Sequence, residues 1–230
     1  AVYEAEVAEL DAAFGRLVDG LREMDLYDRA TIALVSDHGE EFWEHGGFEH
    51  GHTLYDELVH VPLILKLPAG RATGAPAGAE IAAQVRTLDL FPTVFDLYGV
   101  AAPPTFAGAS LLPLVRGEPG PERPAFCMGT LYGHDRIAWR NGGFKYVFDF
   151  DPANPSPAEL FDLTADPGER VDLAALRPQV AQRLRAEVDA FYEEQARLAA
   201  RVRAGEPREM SPSEQNDYLR RLEELGYTGR

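Results

Sequence analysis

The sequence predicts an α/β protein that passes into a small α+β subdomain, and three observations carry that expectation. A helical repeat at the start leads within a few residues into a short β-branched run. A second apolar run follows between residues 59 and 68. Beyond residue 123 the pattern changes to strand, hairpin turn, strand and a long helix. Helix then strand is an α/β arrangement, and strands followed by a helix form an α+β unit.

Val7, Leu10, Phe14, Leu17, Val18 and Leu21 recur at helical spacing. Glu6, Glu9, Asp11, Arg16 and Asp19 occupy the opposite face. The segment is expected to be an amphipathic helix that packs one face on a sheet and ends near Met24. Ala30-Thr31-Ile32-Ala33-Leu34-Val35 is too short for an independent helix and reads as a buried strand. Asp37 and His38 then lie just past the strand's C-terminal end, the edge where ligands bind in open α/β sheets. Gly39 permits a tight turn after them.

The window from His38 to His60 holds five of the six histidines, together with Glu40, Glu41, Glu44, Glu49, Asp56 and Glu57. No Lys or Arg occurs between Arg29 and Lys66. Carboxylate oxygen and imidazole nitrogen are ligands for divalent metals, and a cation would relieve the repulsion among so many acids. An Asp-His pair after a strand is also compatible with a plain capped turn. His45, His50 and His52, all within fifteen residues of the pair, favour a site.

Val59 to Pro68 reads as another buried strand, with Pro62 at its start or at an edge. His60 is expected to be partly buried and structural. Residues 69–79 are rich in Gly, Ala and Pro and read as an exposed loop. Gln84-Val85-Arg86 is compatible with a short strand. Leu88 to Tyr98 is expected to be helical, with Pro92 in the first turn and Gly99 as the stop. Residues 99–123 form a Pro- and Gly-rich crossing linker. Pro124 to Met128 is strand-like and includes Cys127, read as a core residue rather than a nucleophile. His134 to Arg140 and Phe144 to Phe150 flank Asn141-Gly142-Gly143, a hairpin signal. Leu160 to Leu163 is apolar, Asp166-Pro167-Gly168-Glu169 is a turn, and Pro178 to about Arg203 is a helix with Val180, Leu184, Val188 and Phe191 on one face. A last helix is expected from Ser211 to Leu225, closed by Gly226-Tyr227. The divisions expected are 1–112, 113–205 and 206–230.

Composition excludes several roles. A net charge of -16 disfavours nucleic acid and anionic lipid as partners. A single cysteine excludes an intrachain disulfide framework. No stretch approaches the ~20 apolar residues of a membrane span. The chain opens without a start methionine and enters a helix almost at once, as expected of a segment from within a longer protein.

Ser36-Asp37-His38-Gly39-Glu40, Glu44-His45-Gly46, His50-Gly51-His52-Thr53-Leu54-Tyr55-Asp56-Glu57 and Val61-Pro62-Leu63-Ile64, in this order, resemble the second half of a sulfatase of the alkaline phosphatase superfamily. Asp89-Leu90-Phe91-Pro92-Thr93, Phe144-Lys145-Tyr146, Glu159 to Leu163, Asp166-Pro167 and Glu169 continue the resemblance, and Leu222 to Tyr227 resembles the family's chain end. The resemblance implies the C-terminal part of an alkaline-phosphatase-like three-layer sandwich followed by a small α+β subdomain with an antiparallel sheet and a long helix. It implies that Asp37 and His38 bind one divalent cation, calcium first, with zinc or manganese as alternatives. It implies that His50 or, second, His52 contacts the sulfate or the leaving oxygen, with the register between them open. His45 is a weaker candidate that shapes the loop. The implied substrate is a small-molecule or glycan sulfate ester, and the implied location is periplasmic or secreted.

The family's nucleophile is a Cys or Ser in a Cys/Ser-x-Pro-x-Arg motif. Neither Cys127-Met128-Gly129-Thr130-Leu131 nor Ser110-Leu111-Leu112-Pro113 matches it. The nucleophile is therefore expected in an N-terminal half outside these residues. Phosphodiester or phosphonate hydrolysis, or phosphoethanolamine-type transfer, is the alternative within the same superfamily. A chain acting alone would instead be a non-catalytic metal-binding or interaction module.

Overall fold

A computed structural model describes residues 2–71, 78–120, 122–130, 132, 135–150 and 157–204. The expected terminal helix, the chain end and His134 lie outside the described residues. The chain divides into two compact units, residues 1–188 and 189–230.

The first helix, α1, runs Val2–Glu23 and has no buried residue. Its apolar face, expected to pack on a sheet, is only partly covered, with Tyr3 against Phe42 of the hairpin. Phe14, Val18 and Leu21 are half-buried, but Val7, Leu10 and Leu17 stand in the open. β1 (Ile32–Val35) pairs antiparallel with β4 (Leu63–Lys66). Both were expected to be buried strands. Instead neither has a buried residue, β1 alternates, and Val35 and Ile64 are exposed. A two-stranded ribbon has one covered face at most, and its partner strands would have to come from elsewhere. Lys66 caps the ribbon by donating to the Ala30 carbonyl at 2.9 Å and to the Tyr27 carbonyl, over whose ring it also sits.

Between these strands lie the hairpin strands β2 (Glu41–Phe42) and β3 (Phe48–Glu49) and a single helical turn, α2 (Asp56–Val59). His60 follows α2 and is exposed, not partly buried, because the turn ends there and projects its ring outward. After β4, residues 84–86 are not a strand. Arg86 and Asp89 instead form a reciprocal capping box ahead of α3 (Leu90–Leu97), where Gly99 adopts φ +68 at the C-terminal stop. Asp89 is fully buried. It receives Arg86 at 2.8 Å and the Ala109 amide at 2.9 Å, with Arg123 at 3.4 Å. Arg123 donates in turn to the Ala109 and Ser110 carbonyls. One carboxylate thus ties down the crossing linker, which contains a single turn, α4 (Leu112–Val115).

The four-stranded antiparallel sheet follows: β5 (Ala125–Met128), β6 (Arg136–Asn141), β7 (Phe144–Asp149) and β8 (Glu159–Asp162), in that order across the sheet. Gly142 and Gly143 turn β6 into β7 with φ of 59° and 79°. A two-residue hairpin with both central residues left-handed matches the strand twist. Side-chain alternation gives the sheet two distinct faces. Trp139 and Phe148 face the long helix α5 (Pro178–Ala204), where Trp139 donates to Glu187 and Arg185 sits over the Phe148 ring. Leu184 and Val188 of the expected face are buried. On the opposite face Ala138, Val147 and Phe161 enclose Leu54, with Tyr55, Val59 and Cys127 packed around them. The segment after the histidine window is therefore clamped onto the C-terminal sheet.

Candidate active site

Asp37 and His38 follow β1 directly, as the sequence predicts. The Ser36 hydroxyl donates to the His38 carbonyl at 2.6 Å, and the Asp37 carboxylate accepts from the His38 amide at 3.1 Å. Gly39 is required for a reason other than a turn. An added Cβ would lie 1.9 Å from the Glu57 carbonyl oxygen, and the Gly39 amide donates to Leu58 O at 2.8 Å. Close backbone approach, not left-handed φ, selects glycine here.

The His38 ring is oriented by its neighbour. Nδ1 lies 2.8 Å from the Gly39 carbonyl. A carbonyl only accepts, so Nδ1 carries the hydrogen and a neutral ring presents an unprotonated Nε2. That nitrogen lies 3.9 Å from Asp37 Oδ1. A cation held at roughly 2.0–2.6 Å from each donor spans such a gap, so the pair fits a shared divalent ion. Among the described residues no third His, Cys, Asp or Glu joins them as a ligand set.

His50 stacks on His38, ring centroids 4.1 Å apart and 28° between planes. Its Nδ1 is 3.2 Å from Glu40 Oε1. Asp37, His38 and His50 are therefore together, with Glu40 orienting the last. His52 is elsewhere. Its Nε2 is 2.8 Å from Oε2 of Glu41, a carboxylate with no exposed surface. Glu41 Oε1 accepts from the His45 amide at 3.0 Å and the Gly47 amide at 2.7 Å. Burial works against the Glu41 charge, but the hydrogen bonds from Gly47, His52 and His45 prevail and hold its carboxyl below the usual range. A Cβ at Gly47 would meet His52 Nε2 at 2.2 Å, so a larger residue there would displace the His52 ring from Glu41.

His45 shapes the loop, stacked on Tyr55 at 3.7 Å. Nδ1 contacts the Glu57 carboxylate and Nε2 the Glu169 carbonyl. Burial lowers its pKa, yet acceptors on both nitrogens outweigh that and raise it. The acidic window borrows cations from the C-terminal sheet. Asp56 pairs with Lys145 at 2.9 Å and Arg140 at 2.8 Å, and buried Lys145 also pairs with Glu169 at 2.9 Å. Glu169 Oε2 accepts the Asp56 amide at 2.6 Å, and Arg170 donates to the Glu44 carbonyl. The charge imbalance seen in sequence is partly answered by residues about a hundred positions away. Cys127 lies on β5, partly buried against the core cluster rather than within it, and burial pushes its thiol pKa up.

Residues 1–100 match the family model described as Sulfatase. The chain belongs to the sulfatase family. It is 33% identical over 194 residues to arylsulfatase K of Mus musculus, covering 80% of this chain and 34% of that protein. Its fold matches BT4656, solved with its substrate D-glucosamine-2-N,6-O-disulfate, with a TM-score of 0.69 and 25% identity over 89% of this chain and 41% of that one. The phosphonate monoester hydrolase of Agrobacterium radiobacter matches with a TM-score of 0.63 and 26% identity, over 85% and 40% of the two chains. These neighbours bear out the α/β, alkaline-phosphatase-like fold class. This sulfatase chain spans about a third of the length of the curated relatives it matches. No helix of the described residues is long and apolar enough to cross a membrane.

Proposed function

We propose that the chain carries the leaving-group side of the catalytic centre of a sulfuric ester hydrolase. The observation that supports this reading is the juxtaposition of Asp37 and His38, separated by 3.9 Å, with His50 stacked on His38. Asp37 Oδ1 and His38 Nε2 would hold one divalent cation, calcium first, with zinc or manganese as alternatives. When bound, that ion supplies Lewis-acid polarisation of a sulfuryl oxygen. His50, oriented by Glu40, hydrogen-bonds the oxygen of the departing alcohol and delivers its proton. His52 holds the loop through Glu41. The nucleophile belongs to a segment outside these residues, and a periplasmic or secreted location fits an enzyme acting on sulfate esters of small molecules or glycans.

The test uses the full-length enzyme that contains this chain, an aryl sulfate, and metal analysis of the purified protein. His50→Ala should lower kcat by about 10²–10⁴-fold, the usual range for a lost general acid. Asp37→Asn and His38→Ala should lower both turnover and bound metal. Full activity in all three variants would sink the assignment. A second reading, phosphonate or phosphodiester hydrolysis, is favoured by the phosphonate monoester hydrolase match. A higher kcat/KM on a phenyl phosphonate ester than on the sulfate would select it.

A further inference from the structure

Glu169 is one of four described non-glycine residues with a left-handed backbone, φ +51, and the one of them that is buried. Such a conformation persists only where surrounding contacts impose it. Held this way, Glu169 reaches the histidine loop at both ends. Its carbonyl lies 3.1 Å from His45 Nε2, and its carboxylate accepts the Asp56 amide at 2.6 Å. Arg170 adds a bond to the Glu44 carbonyl at 2.6 Å. His50 and His52 lie on the segment between these ties.

His45 is the joint. Its ring is stacked on Tyr55, and its side chain is 12% exposed. Nδ1 meets the Glu57 carboxylate and Nε2 a carbonyl, so both ring nitrogens face acceptors. A neutral imidazole has one N–H and can serve one of them, whereas the imidazolium serves both. The Glu57 and Glu169 carboxylates favour the charged ring against its burial. The cations packed nearby are engaged by other acids, Lys145 by Asp56 and Glu169, Arg140 by Asp56, and Arg136 by Asp149 and Glu159. The Tyr55 hydroxyl donates to Glu159, and burial holds it un-ionised.

Two hydrogen-bonded routes lead from this ring to the site. Glu57 belongs to α2, whose Leu58 carbonyl takes the Gly39 amide, and the Gly39 carbonyl in turn takes His38 Nδ1. The His45 amide donates to Glu41 Oε1, and Oε2 of the same carboxylate holds His52, two residues from His50.

We propose that His45 is a positioning residue, a proton-dependent clamp that fixes the His50 loop and the His38 ring against Glu169. The inference rests on the sulfatase reading for the duties of His38 and His50, and it makes their placement sensitive to pH. Loss of the second ring proton removes one of the two bonds and frees the loop from either α2 or Glu169.

The test uses the full-length enzyme that contains this chain, labelled with nitrogen-15. The His45 ring should lose its second proton at a higher pH than free histidine, about 6.5. The Gly39 and Gly47 amide signals should show a step as that proton leaves. The step should be absent in His45→Gln, whose neutral side-chain amide donates to the Glu169 carbonyl at every pH. His45→Ala should lower kcat on an aryl sulfate about 10–100-fold with little change in KM, as for a displaced catalytic group, and His45→Gln should recover most of the loss. Asp37→Asn should remove activity yet leave the His45 proton and the amide step unchanged, which separates the clamp from the hydrolytic reading. A His45 proton lost at or below the ordinary value, Gly39 and Gly47 signals with no step at that pH, or wild-type kcat in His45→Ala would each overturn the proposal.

Discussion

The Glu41 carboxylate, with no exposed surface, accepts from His52 Nε2 at 2.8 Å. Two histidines only two positions apart consequently have different duties. Removing the His52 ring leaves a buried carboxylate oxygen without its partner. His52→Ala should cost about 1–3 kcal/mol of stability, measured by urea unfolding. His50→Ala should stay within about 0.5 kcal/mol of wild type, as for exposed residues generally. Equal destabilisation by both would place His52 wrongly.

Acid should weaken the fold through Glu41 and Asp89. Burial disfavours the Asp89 charge, but Arg86, the Ala109 amide and Arg123 overcome it, and both carboxyls sit below their ordinary values. The unfolded chain then binds protons first as the pH falls. Their contribution is complete above the ordinary carboxylate range and is lost as the pH falls through the depressed values. His45 acts in the opposite sense. Its raised pKa gives stability that is complete below the ordinary histidine value and is lost as the pH rises through the folded value. Thermal melts across pH should show a plateau between these limits, and Glu41→Gln should shallow the acid limb.

Lys145 is buried between Asp56 and Glu169. Lys145→Met strands the buried Glu169 carboxylate and leaves Asp56 to Arg140 alone, and should cost about 3–5 kcal/mol, as expected for breaking a buried pair. The signals of His45 and Asp56 should shift with it in NMR spectra, because both residues bond to Glu169.

Gly39→Ala should be far worse than an ordinary surface substitution, since its Cβ would overlap the Glu57 carbonyl. Overpacking of this kind costs about 1–3 kcal/mol and occasionally more. The measurement is the urea midpoint, with Gly15→Ala on α1 as the control, where nothing lies within 4 Å.

Local pattern made much of the fold legible. The β-branched run before Ser36, the Asn141-Gly142-Gly143 turn and the apolar stripe of α5 each follow from short-range preferences, and each element is present. Partnership across long sequence distances was not legible. Nothing near Asp56 announces Lys145, 89 positions on. Period-2 reasoning would send His50 and His52 to the same side. Left-handed residues at 49 and 51 break that alternation and give the two rings separate partners. His60 and residues 84–86 went the other way for local reasons, an ending helical turn and a capping box. The only partly covered stripe of α1 shows that amphipathicity tells which face seeks a partner without supplying one.

Lys145 and Glu169 lie beyond residue 100, where the Sulfatase match ends, yet they anchor the turn at Asp56 that carries the histidine loop. Leu54 likewise finds its neighbours at Ala138, Val147 and Phe161. The stretch by which kinship is recognised and the stretch that can hold its own shape are therefore different lengths of chain. Excising the recognised portion would keep the signature and release the loop that bears it.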